Sequence, residues 1–318
     1  MKQILIAVAL LGCGTKHHDE PAPVPTPVAT VDLAATFEAC WTAWSAGTMT
    51  PLGDCYAKTA VSESPGAGFP PATRVIAIIE AVRGLRAAFP DIKGEPQLVL
   101  VNGTKVAAVV RLSGTHVDKK QPIGLVGGVV DNFDASGKIT HESDYFDSLT
   151  IQGQIALPPS HLVRAWDATS SLAKQTVIAK HDAAEQANVD VVKAFEAAFA
   201  THDLAAVGAL LPEDATWSDA SERADWTKAE LLADRAAGVK GFPDAASHVQ
   251  DIWAAGDFVV EIAELTGTND GPVPGIATPT HKKIAVPFFA IHQIANGKLA
   301  HTWVFQQASA FVTQLGLK

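Results

Sequence analysis

The sequence has few cysteines and no cluster of basic residues, and each shortage excludes a class of protein. Three cysteines are too few for a miniprotein built from disulfides or for a zinc ribbon. Lys and Arg number 24 against 34 Asp and Glu and form no run, so the chain lacks the positive surface of a nucleic-acid binder. Hydrophobic residues make up 47% of the 318 residues, which excludes long disorder and predicts about two domains.

Several catalytic motifs are also missing. The sequence has no Gly-x-Ser-x-Gly elbow, no phosphate-binding loop, no His-Glu-x-x-His pair and no dinucleotide fingerprint. It therefore implies no cofactor and no metal site. The polar segment His17-His18-Asp19-Glu20 has metal-ligating residue types, but no rigid element presents them, and we interpret it as a spacer.

No hydrophobic run is long enough to cross a membrane as a helix. The apolar run of residues 4–11 has about half of the ~20 residues required and is typical of an export signal. The Leu10-Leu11-Gly12-Cys13 stretch that ends it resembles a bacterial lipobox. That resemblance implies a lipoprotein signal peptide over 1–12, cleavage after Gly12 and a lipid on Cys13. The alternative is an ordinary secretory signal with an incidental cysteine.

Residues 13–27 follow the lipobox and contain four alternating prolines (Pro21, Pro23, Pro25 and Pro27). Alternating proline favours an extended chain and prevents a helix, so we interpret this segment as a tether. Together with Gly14 after the cysteine, it predicts a lipid-anchored protein of the bacterial cell envelope. The expected membrane is the outer one, with the protein facing the periplasm or the exterior.

The remaining cysteines lie in a predicted helical hairpin. Apolar residues from Leu33 to Trp44 recur at three- and four-residue steps and include Cys40, and Gly47 ends this helix. A second short helix contains Cys55. Two antiparallel helices would bring the sulfurs together, and an exported protein experiences an oxidising compartment. We predict a Cys40–Cys55 disulfide, and two buried free thiols are the alternative.

The body of the chain is an internal repeat. Phe89-Pro90-Asp91 recurs as Phe242-Pro243-Asp244, an offset of 153 residues. Gly137-Lys138-Ile139 later recurs as Gly297-Lys298-Leu299, an offset of 160 residues. Matches in the same order predict two copies of one domain, over 28–157 and 185–318. A linker over 158–184, helical in part, joins them.

Each copy begins with helices and ends with strands. Hairpin signals at Asn102-Gly103, Ser136-Gly137 and Asn296-Gly297 separate the predicted strands. Helices grouped before an antiparallel sheet are typical of the α+β class. We expect a bent sheet wrapped on a helix, with a cavity between them that is a default site for a small molecule.

This order of elements resembles the SnoaL-like polyketide cyclases of the nuclear-transport-factor-2-like (NTF2-like) superfamily. The shared features are helices, Phe-Pro-Asp, a Gly-Thr strand end and a Gly-Lys-Ile turn before the last strand. The resemblance implies two tandem NTF2-like cone-shaped α+β barrels, each with an internal pocket. The family includes cyclases, isomerases, dehydratases and hydrolases, so the fold alone says little about the chemistry.

The last strand of the first copy holds the candidate catalytic residues. Side chains alternate along a strand, which places His141, Tyr145 and Asp147 on one face. These residue types suit acid–base chemistry in a dry cavity. The resemblance to the cyclases implies that Asp147 stands at the acid–base position, whereas the second copy has Gln307 there. The alternative for Asp147 is a structural role, either as a cap at the end of the strand or as the partner of a nearby cation.

Candidate ligand-binding residues lie mostly in the second copy. They are His301, Trp303 and Phe305 on its last strand, Asn269 in its Gly/Pro-rich loop, and His116 beside the corresponding loop of the first copy.

Three hypotheses follow. The protein binds a small, largely apolar molecule, with residual acid–base activity in the first copy. Alternatively, it is an active cyclase-, isomerase- or hydrolase-like enzyme that uses Asp147. The third hypothesis is a non-catalytic interaction protein whose two sheets pack as an internal pseudo-dimer.

Overall fold

The computed structural model describes residues 31–160, 163–165 and 173–317. The predicted signal peptide over 1–12, the tether over 13–27 and the lipidation site Cys13 lie outside the described residues. Residues 31–318 form one compact unit. Among the described helices, none has the length and apolar character needed to span a membrane.

The first repeat consists of a helical hairpin, a third helix, a sheet and a closing helix. Its elements are α1 (Leu33–Ala46), α2 (Met49–Cys55), β1 (Tyr56–Glu63), β2 (Ala72–Thr73), α3 (Val75–Ala88), β3 (Lys93–Asn102), β4 (Lys105–Thr115), β5 (Pro122–Phe133), β6 (Ile139–Tyr145) and α4 (Ser148–Ile155).

The second repeat has the same elements in the same order, preceded by the short strand β7 (Gln175–Ile178). They are α5 (Ala183–Ala200), α6 (Leu204–Ala209), β8 (Thr216–Asp219), β9 (Trp226–Thr227), α7 (Lys228–Gly241), β10 (Ala246–Ala255), β11 (Phe258–Thr268), β12 (Lys283–Ala295), β13 (Lys298–Gln306) and α8 (Ala308–Leu315).

The two sheets have one topology. The first has the order β2-β1-β6-β5-β4-β3-β7, and the second has the order β9-β8-β13-β12-β11-β10. In the described residues neither sheet closes on itself, so the tandem α+β fold is confirmed but each cone is open. Within the predicted linker over 158–184, the described residues include the strand β7. This strand pairs in parallel with β3, and the β-branched Thr176, Val177 and Ile178 suit that pairing.

Local sequence signals explain the first helical hairpin. The Asp32 side chain accepts a hydrogen bond from the Ala35 backbone N at 3.0 Å and caps α1. Gly47 ends the helix with a φ of 67°, a conformation that glycine adopts at little cost. Cys40 and Cys55 form a disulfide that joins α1 to α2, with their Cα atoms 5.9 Å apart.

Each sheet is covered on both faces. In each repeat one face packs on that repeat's own helices, with Phe37 of α1 and Phe195 of α5 among the buried residues. The opposite faces of the two sheets contribute to one buried apolar cluster. Its members are Leu98, Leu100, Ala107, Val109, Val130 and Tyr145 from the first sheet and Trp253, Ala255, Phe258, Val260, Phe289, Ile291, Trp303 and Phe305 from the second.

A β-bulge in β6 decides which of its residues face the helices. Ile139 pairs with Phe133 and His141 pairs with Asn132, so Thr140 is an extra residue on this strand. The bulge breaks the alternation that the sequence predicts from Ile139 onward. Because the side-chain period of a strand is two, one extra residue moves every later side chain to the opposite face.

Candidate functional site

Each repeat encloses a cavity between its helices and the concave face of its sheet. The first cavity, in the first repeat, has a volume of about 320 Å³. The second cavity, in the second repeat, has a volume of about 430 Å³. Both volumes lie in the range of small-molecule sites.

Apolar side chains form most of the wall of the second cavity. They come from α5, α7, α8, the sheet and the loop after β11. The large ones are Phe195, Phe199, Trp217, Trp226, Val239, Phe242, Leu265, Val273, Ile284, Phe288, Val304, Phe311 and Val312.

A buried pair of ionisable side chains forms the polar centre of the second cavity. His292 Nε2 lies 3.0 Å from Glu261 Oε2, and the side chains are 2% and 0% exposed. His292 Nδ1 is hydrogen-bonded to Thr302 Oγ1 at 3.0 Å. The second carboxylate oxygen, Glu261 Oε1, is buried without a hydrogen-bond partner. A buried carboxylate oxygen without a hydrogen-bond partner lowers the stability of the folded protein. A ligand that donates a hydrogen bond to this oxygen would remove that penalty.

A second carboxyl group lies in the same cavity. Burial and the nearby charge of Glu261 together raise the pKa of Glu196 to about 7, and Ser247 and Arg235 act in the opposite direction. Glu196 Oε2 is also buried without a hydrogen-bond partner. A carboxyl group with a pKa near 7 can both accept and donate a proton at neutral pH.

Arg235 of α7 contributes a guanidinium group to the lining of the second cavity. Its guanidinium carbon lies 5.2 Å from the ring centroids of both Phe199 and Trp217. Such cation–π contacts hold the charge against the aromatic wall. Arg235 Nε is buried without a hydrogen-bond partner, so it remains available to an acceptor.

Asp219, the last residue of β8, also lines the second cavity. It accepts hydrogen bonds from Ser221 Oγ at 2.7 Å and from Gln306 Nε2 at 2.7 Å. Burial raises its pKa, and these hydrogen bonds oppose the shift. Burial also raises the pKa values of Glu222 and Asp234 in the same wall.

The first cavity has a different polar centre. Glu142 accepts hydrogen bonds from Tyr56 Oη at 2.6 Å and from Ser62 Oγ at 2.8 Å. Asp131 and Asp144 line the same cavity. Burial raises the pKa of both aspartates, and the charge of Glu142 raises it further.

The two polar centres occupy equivalent positions. Asp131 pairs with Val106 on one side and with Glu142 on the other. His292 pairs in the same way with Val259 and Thr302. Since Val106 and Val259 are related by the 153-residue offset, His292 replaces Asp131 and Thr302 replaces Glu142. The repeats therefore share a site position but differ in its chemistry.

Asp147 lies outside both cavity linings. It is the N-cap of α4 and is 1% exposed. Its Oδ2 accepts hydrogen bonds from Thr150 N at 2.8 Å and from Thr150 Oγ1 at 2.7 Å. Its Oδ1 accepts one from Ala308 N at 2.9 Å. Both oxygens thus accept hydrogen bonds from structural partners, as expected for the capping role that is the alternative to acid–base catalysis.

His141 and Tyr145 also lie outside the first cavity, because the bulge at Thr140 turns them away from it. His141 Nε2 pairs with Glu63 Oε1 at 2.8 Å, and its side chain is 40% exposed. Tyr145 packs in the cluster between the sheets, where its ring centroid lies 5.8 Å from that of Phe289. The face of β6 that was predicted to be catalytic therefore points away from the first cavity.

The predicted ligand-binding residues of β13 also lie outside the second cavity. Trp303 and Phe305 belong to the cluster between the sheets and line a crevice of about 20 Å³. The His301 ring packs on Trp303 at a centroid distance of 4.0 Å, and its Nδ1 is hydrogen-bonded to Thr216 Oγ1. Burial lowers the pKa of His301 to about 4, so it is neutral at pH 7.

Asn269 and His116 stabilise loops. Asn269 is 0% exposed, and its side chain accepts a hydrogen bond from Thr280 N at 2.7 Å and donates one to Gly271 O at 2.8 Å. His116 Nδ1 accepts one from Asp118 N at 3.2 Å. Neither residue lines either cavity.

The sequence did carry a signal for the residues that were missed. Asp131, Glu261 and His292 each interrupt a run of apolar residues in a strand, whereas Glu142 lies in β6, which is polar at most positions and gives no such signal. A charged residue in such an apolar run is rarely buried unless it is paired or functional. Glu196 has no comparable signal, because helix α5 carries charged residues at several positions.

Comparisons with known proteins identify the fold family. The family described as SnoaL-like polyketide cyclase matches residues 32–155 and 189–315. A solved protein described as a SnoaL-like polyketide cyclase, from Jannaschia sp. CCS1, is 22% identical. The match covers 44% of this chain and 98% of that chain, with a TM-score of 0.40.

Other solved structures show similar levels of likeness. TsrD from Streptomyces laurentii is 20% identical, and the match covers 42% of this chain and 97% of that chain with a TM-score of 0.37. An NTF2-like protein of unknown function from Burkholderia pseudomallei K96243 is 14% identical, with 40% and 98% coverage and a TM-score of 0.37. No curated protein matches the chain. Two matched segments that together span most of the sequence show that this chain belongs to the SnoaL-like polyketide cyclase family, with one copy of the domain in each repeat.

Proposed function

We propose that the protein binds a small, largely apolar molecule in the second cavity. The observation that carries the proposal is a hollow of about 430 Å³ whose apolar wall surrounds the buried Glu261–His292 pair. Ligand sites commonly combine an apolar wall with a few convergent polar groups. The expected ligand therefore has an apolar body and one group that donates a hydrogen bond.

The unpaired oxygens support this choice of ligand. Glu196 Oε2 and Glu261 Oε1 both belong to residues of the cavity lining and have no hydrogen-bond partner. A ligand hydroxyl would satisfy one of them, while its apolar body would contact the aromatic wall. Removing such a buried mismatch favours the bound state by about 1–3 kcal/mol.

A matched pair of glycine variants tests the proposal. Gly238 lines the second cavity, and a Cβ at this position would meet no atom within 4 Å. The equivalent residue of the first repeat is Leu85, so Gly238→Leu places a tolerated side chain in the hollow. Gly84→Leu is the control, because Gly84 is exposed on α3 and also has open space around it.

The probe is 2-naphthol, a fluorescent apolar molecule with one hydroxyl group, titrated by fluorescence and calorimetry. We expect saturable binding to the wild type, a loss of affinity of about tenfold or more in Gly238→Leu, and no change in Gly84→Leu. Equal affinity in both variants, or no binding to the wild type, would contradict the proposal.

Proton transfer in the same cavity is the second candidate function, and the pKa of Glu196 near 7 favours it. The Glu196 carboxylate would remove a proton from a carbon next to a ligand carbonyl and leave an enolate. The resulting carboxylic acid would then return a proton to that carbon. The family description as a polyketide cyclase is compatible with such enolate chemistry.

Deuterium exchange at the acidic carbons of 2-tetralone, followed by NMR in heavy water, tests this second candidate. We expect exchange faster than in buffer, abolition in Glu196→Gln, and no effect of Asp147→Asn. Exchange that Glu196→Gln leaves unchanged would exclude Glu196 as the base. Exchange that Asp147→Asn abolishes would instead support Asp147 as the acid–base residue.

We also propose that the protein is exported and lipid-anchored through Cys13, as the lipobox-like stretch indicates. Metabolic labelling with a radioactive fatty acid is expected to label the wild type and not Cys13→Ser. Label retained by the variant would contradict the anchor.

A further inference from the structure

The first cavity is strongly acidic. Glu63, Asp131, Glu142 and Asp144 all line it, and no Lys, Arg or His is among its lining residues. Of the four carboxylates, Glu63 has a side-chain partner outside the cavity lining, because its Oε1 lies 2.8 Å from His141 Nε2. The remaining three carboxylates therefore depend on hydrogen bonds or on a ligand for compensation.

Glu142 is fully engaged within the protein, whereas Asp131 is not. Both Glu142 oxygens accept hydrogen bonds, from Tyr56 Oη and from Ser62 Oγ. Asp131 is 1% exposed, and its Oδ1 is buried without a partner. Asp131 also lines the hollow, so its carboxylate is an acceptor at the cavity wall that the protein leaves partly unpartnered.

Five aromatic side chains also line the first cavity. They belong to α1, β1, the loop after β1 and the end of β6, and they are Trp41, Trp44, Tyr56, Phe69 and Phe146. The rings of Trp41 and Trp44 lie next to each other, with centroids 5.2 Å apart. The faces of such rings attract cations, and the attraction strengthens when the cation is desolvated.

We propose that the first cavity binds a small alkylammonium ion, whose charge is neutralised by Asp131 and Asp144 and whose alkyl groups contact the aromatic wall. This site is separate from the second cavity and does not depend on the function proposed for it.

The chemistry of the wall favours an alkylammonium ion over a compact cation. In the described residues, no group of three or more His, Cys, Asp or Glu side chains is placed to hold a metal ion. A primary ammonium is strongly hydrated and loses much on entering an apolar hollow. Alkyl groups reduce that hydration and add apolar contacts, so they suit a cavity with aromatic walls and an acidic floor.

Ligand binding is expected to release protons. Burial raises the pKa values of Asp131, Asp144 and Glu142, and the charge of Glu142 raises those of the two aspartates further. A cation in the hollow favours the charged forms and lowers these pKa values. Calorimetry in two buffers of different ionisation enthalpy measures the number of protons released at a given pH.

The test compares choline with its uncharged isostere 3,3-dimethyl-1-butanol on the whole protein. We expect choline to bind at one site with proton release, and the isostere to bind at least about tenfold more weakly. Equal affinity for the two probes would show that the cavity recognises shape and apolar surface alone. That result, or no choline binding, would overturn the proposal.

Single substitutions test whether choline binds in the first cavity. Asp131→Asn and Asp144→Asn each keep the size of the side chain and remove a charge, and each is expected to weaken choline binding about tenfold. Asp118→Asn makes the same change at an exposed position of the first repeat and is the control. Two aspartate variants are used so that a folding defect in one, detected by circular dichroism, leaves the other decisive.

The variants test the proposed ligand of the first cavity and that of the second cavity independently. Gly238→Leu is expected to weaken 2-naphthol binding about tenfold or more and to leave choline binding unchanged. Choline binding that falls in Gly238→Leu but not in the aspartate variants would place the cation in the second cavity and overturn this inference.

Discussion

Asp147 and Gln307 each accept a hydrogen bond from the first residue of the other repeat's last helix. Asp147 Oδ1 accepts from Ala308 N at 2.9 Å, and Gln307 Oε1 accepts from Ser148 N at 3.1 Å. The two residues follow the equivalent strands β6 and β13. The reciprocal bonds therefore relate the repeats as an isologous contact relates the subunits of a twofold dimer.

This relationship explains why one position holds a carboxylate in one repeat and an amide in the other. Both side chains supply the acceptor that the partner's helix N-terminus needs. Gln307 also donates from Nε2 to Phe146 O at 2.7 Å, which a carboxylate would not do. The first repeat has Asp147 where the second has Gln307, and both side chains make the same structural contact with the other repeat.

Removal of the Asp147 side chain is expected to destabilise the protein. Asp147→Ala removes the cap of α4 and leaves Ala308 N without its partner, so the free energy of unfolding should fall by about 2–3 kcal/mol. Urea denaturation measures this loss. Asp32→Ala removes an exposed cap of α1 and should cost only about 1 kcal/mol. Equal losses in the two variants would contradict the contact between repeats.

Gly128 is expected to tolerate no side chain, because it lies where the two sheets meet. A Cβ at this position would lie 2.2 Å from a Phe289 ring atom and 2.6 Å from a Phe305 ring atom. Gly128→Ala should lower the free energy of unfolding by about 1–3 kcal/mol through overpacking. Gly84→Ala in exposed α3 should raise it by about 0.5–1 kcal/mol. Thermal unfolding measured side by side checks the opposite signs.

The Cys40–Cys55 disulfide is expected to stabilise the first repeat by restricting the unfolded chain. The two cysteines are 15 residues apart, and a loop of this size corresponds to about 3 kcal/mol. The Cys40→Ser, Cys55→Ser double variant should lose that amount in urea denaturation. Addition of a reductant should lower the stability of the wild type but not that of the variant. Reductant sensitivity in both would show that another group is responsible.

The stability of the protein is expected to fall as the pH rises from about 4.5 to about 7. The pKa of Glu196 is raised to about 7, so in this window the folded protein holds a proton that the unfolded chain has lost. The free energy of unfolding then decreases by up to about 1.4 kcal/mol per pH unit from this group. Glu196→Gln should flatten the decrease, whereas Glu80→Gln, at an exposed position of α3, should not. Parallel curves for wild type and Glu196→Gln would contradict a buried, protonated Glu196.

Much of the candidate site was not predictable from the sequence. The strand that carries the first site was identified, and Glu142 and Asp144 lie on it beside the residues that were chosen. The alternation predicted from Ile139 does not continue past Thr140, where the structure has a bulge. Bulges depend on how neighbouring strands pair, and no local feature of this strand announces one.

A second reason why the site could not be predicted concerns the strand β13, which carries His301, Trp303 and Phe305. Alternation places apolar and aromatic residues on one face of β13, and this is also true in the structure. Both faces of this strand are buried, so hydrophobicity does not distinguish the face that lines a cavity from the face that meets the other sheet. The order of the sheets in space decides between them.

The sequence by itself determined the duplication, the α+β class and the order of elements, because repeated motifs, helical periodicity and turn residues act over short distances along the chain. Only the tertiary structure decided which face of each sheet encloses a cavity and which joins the repeats. It did so because burial depends on surfaces that come from residues far apart in the chain. Asp131 and His292 became site residues, and Asp147 became a structural contact, through packing that no single segment encodes.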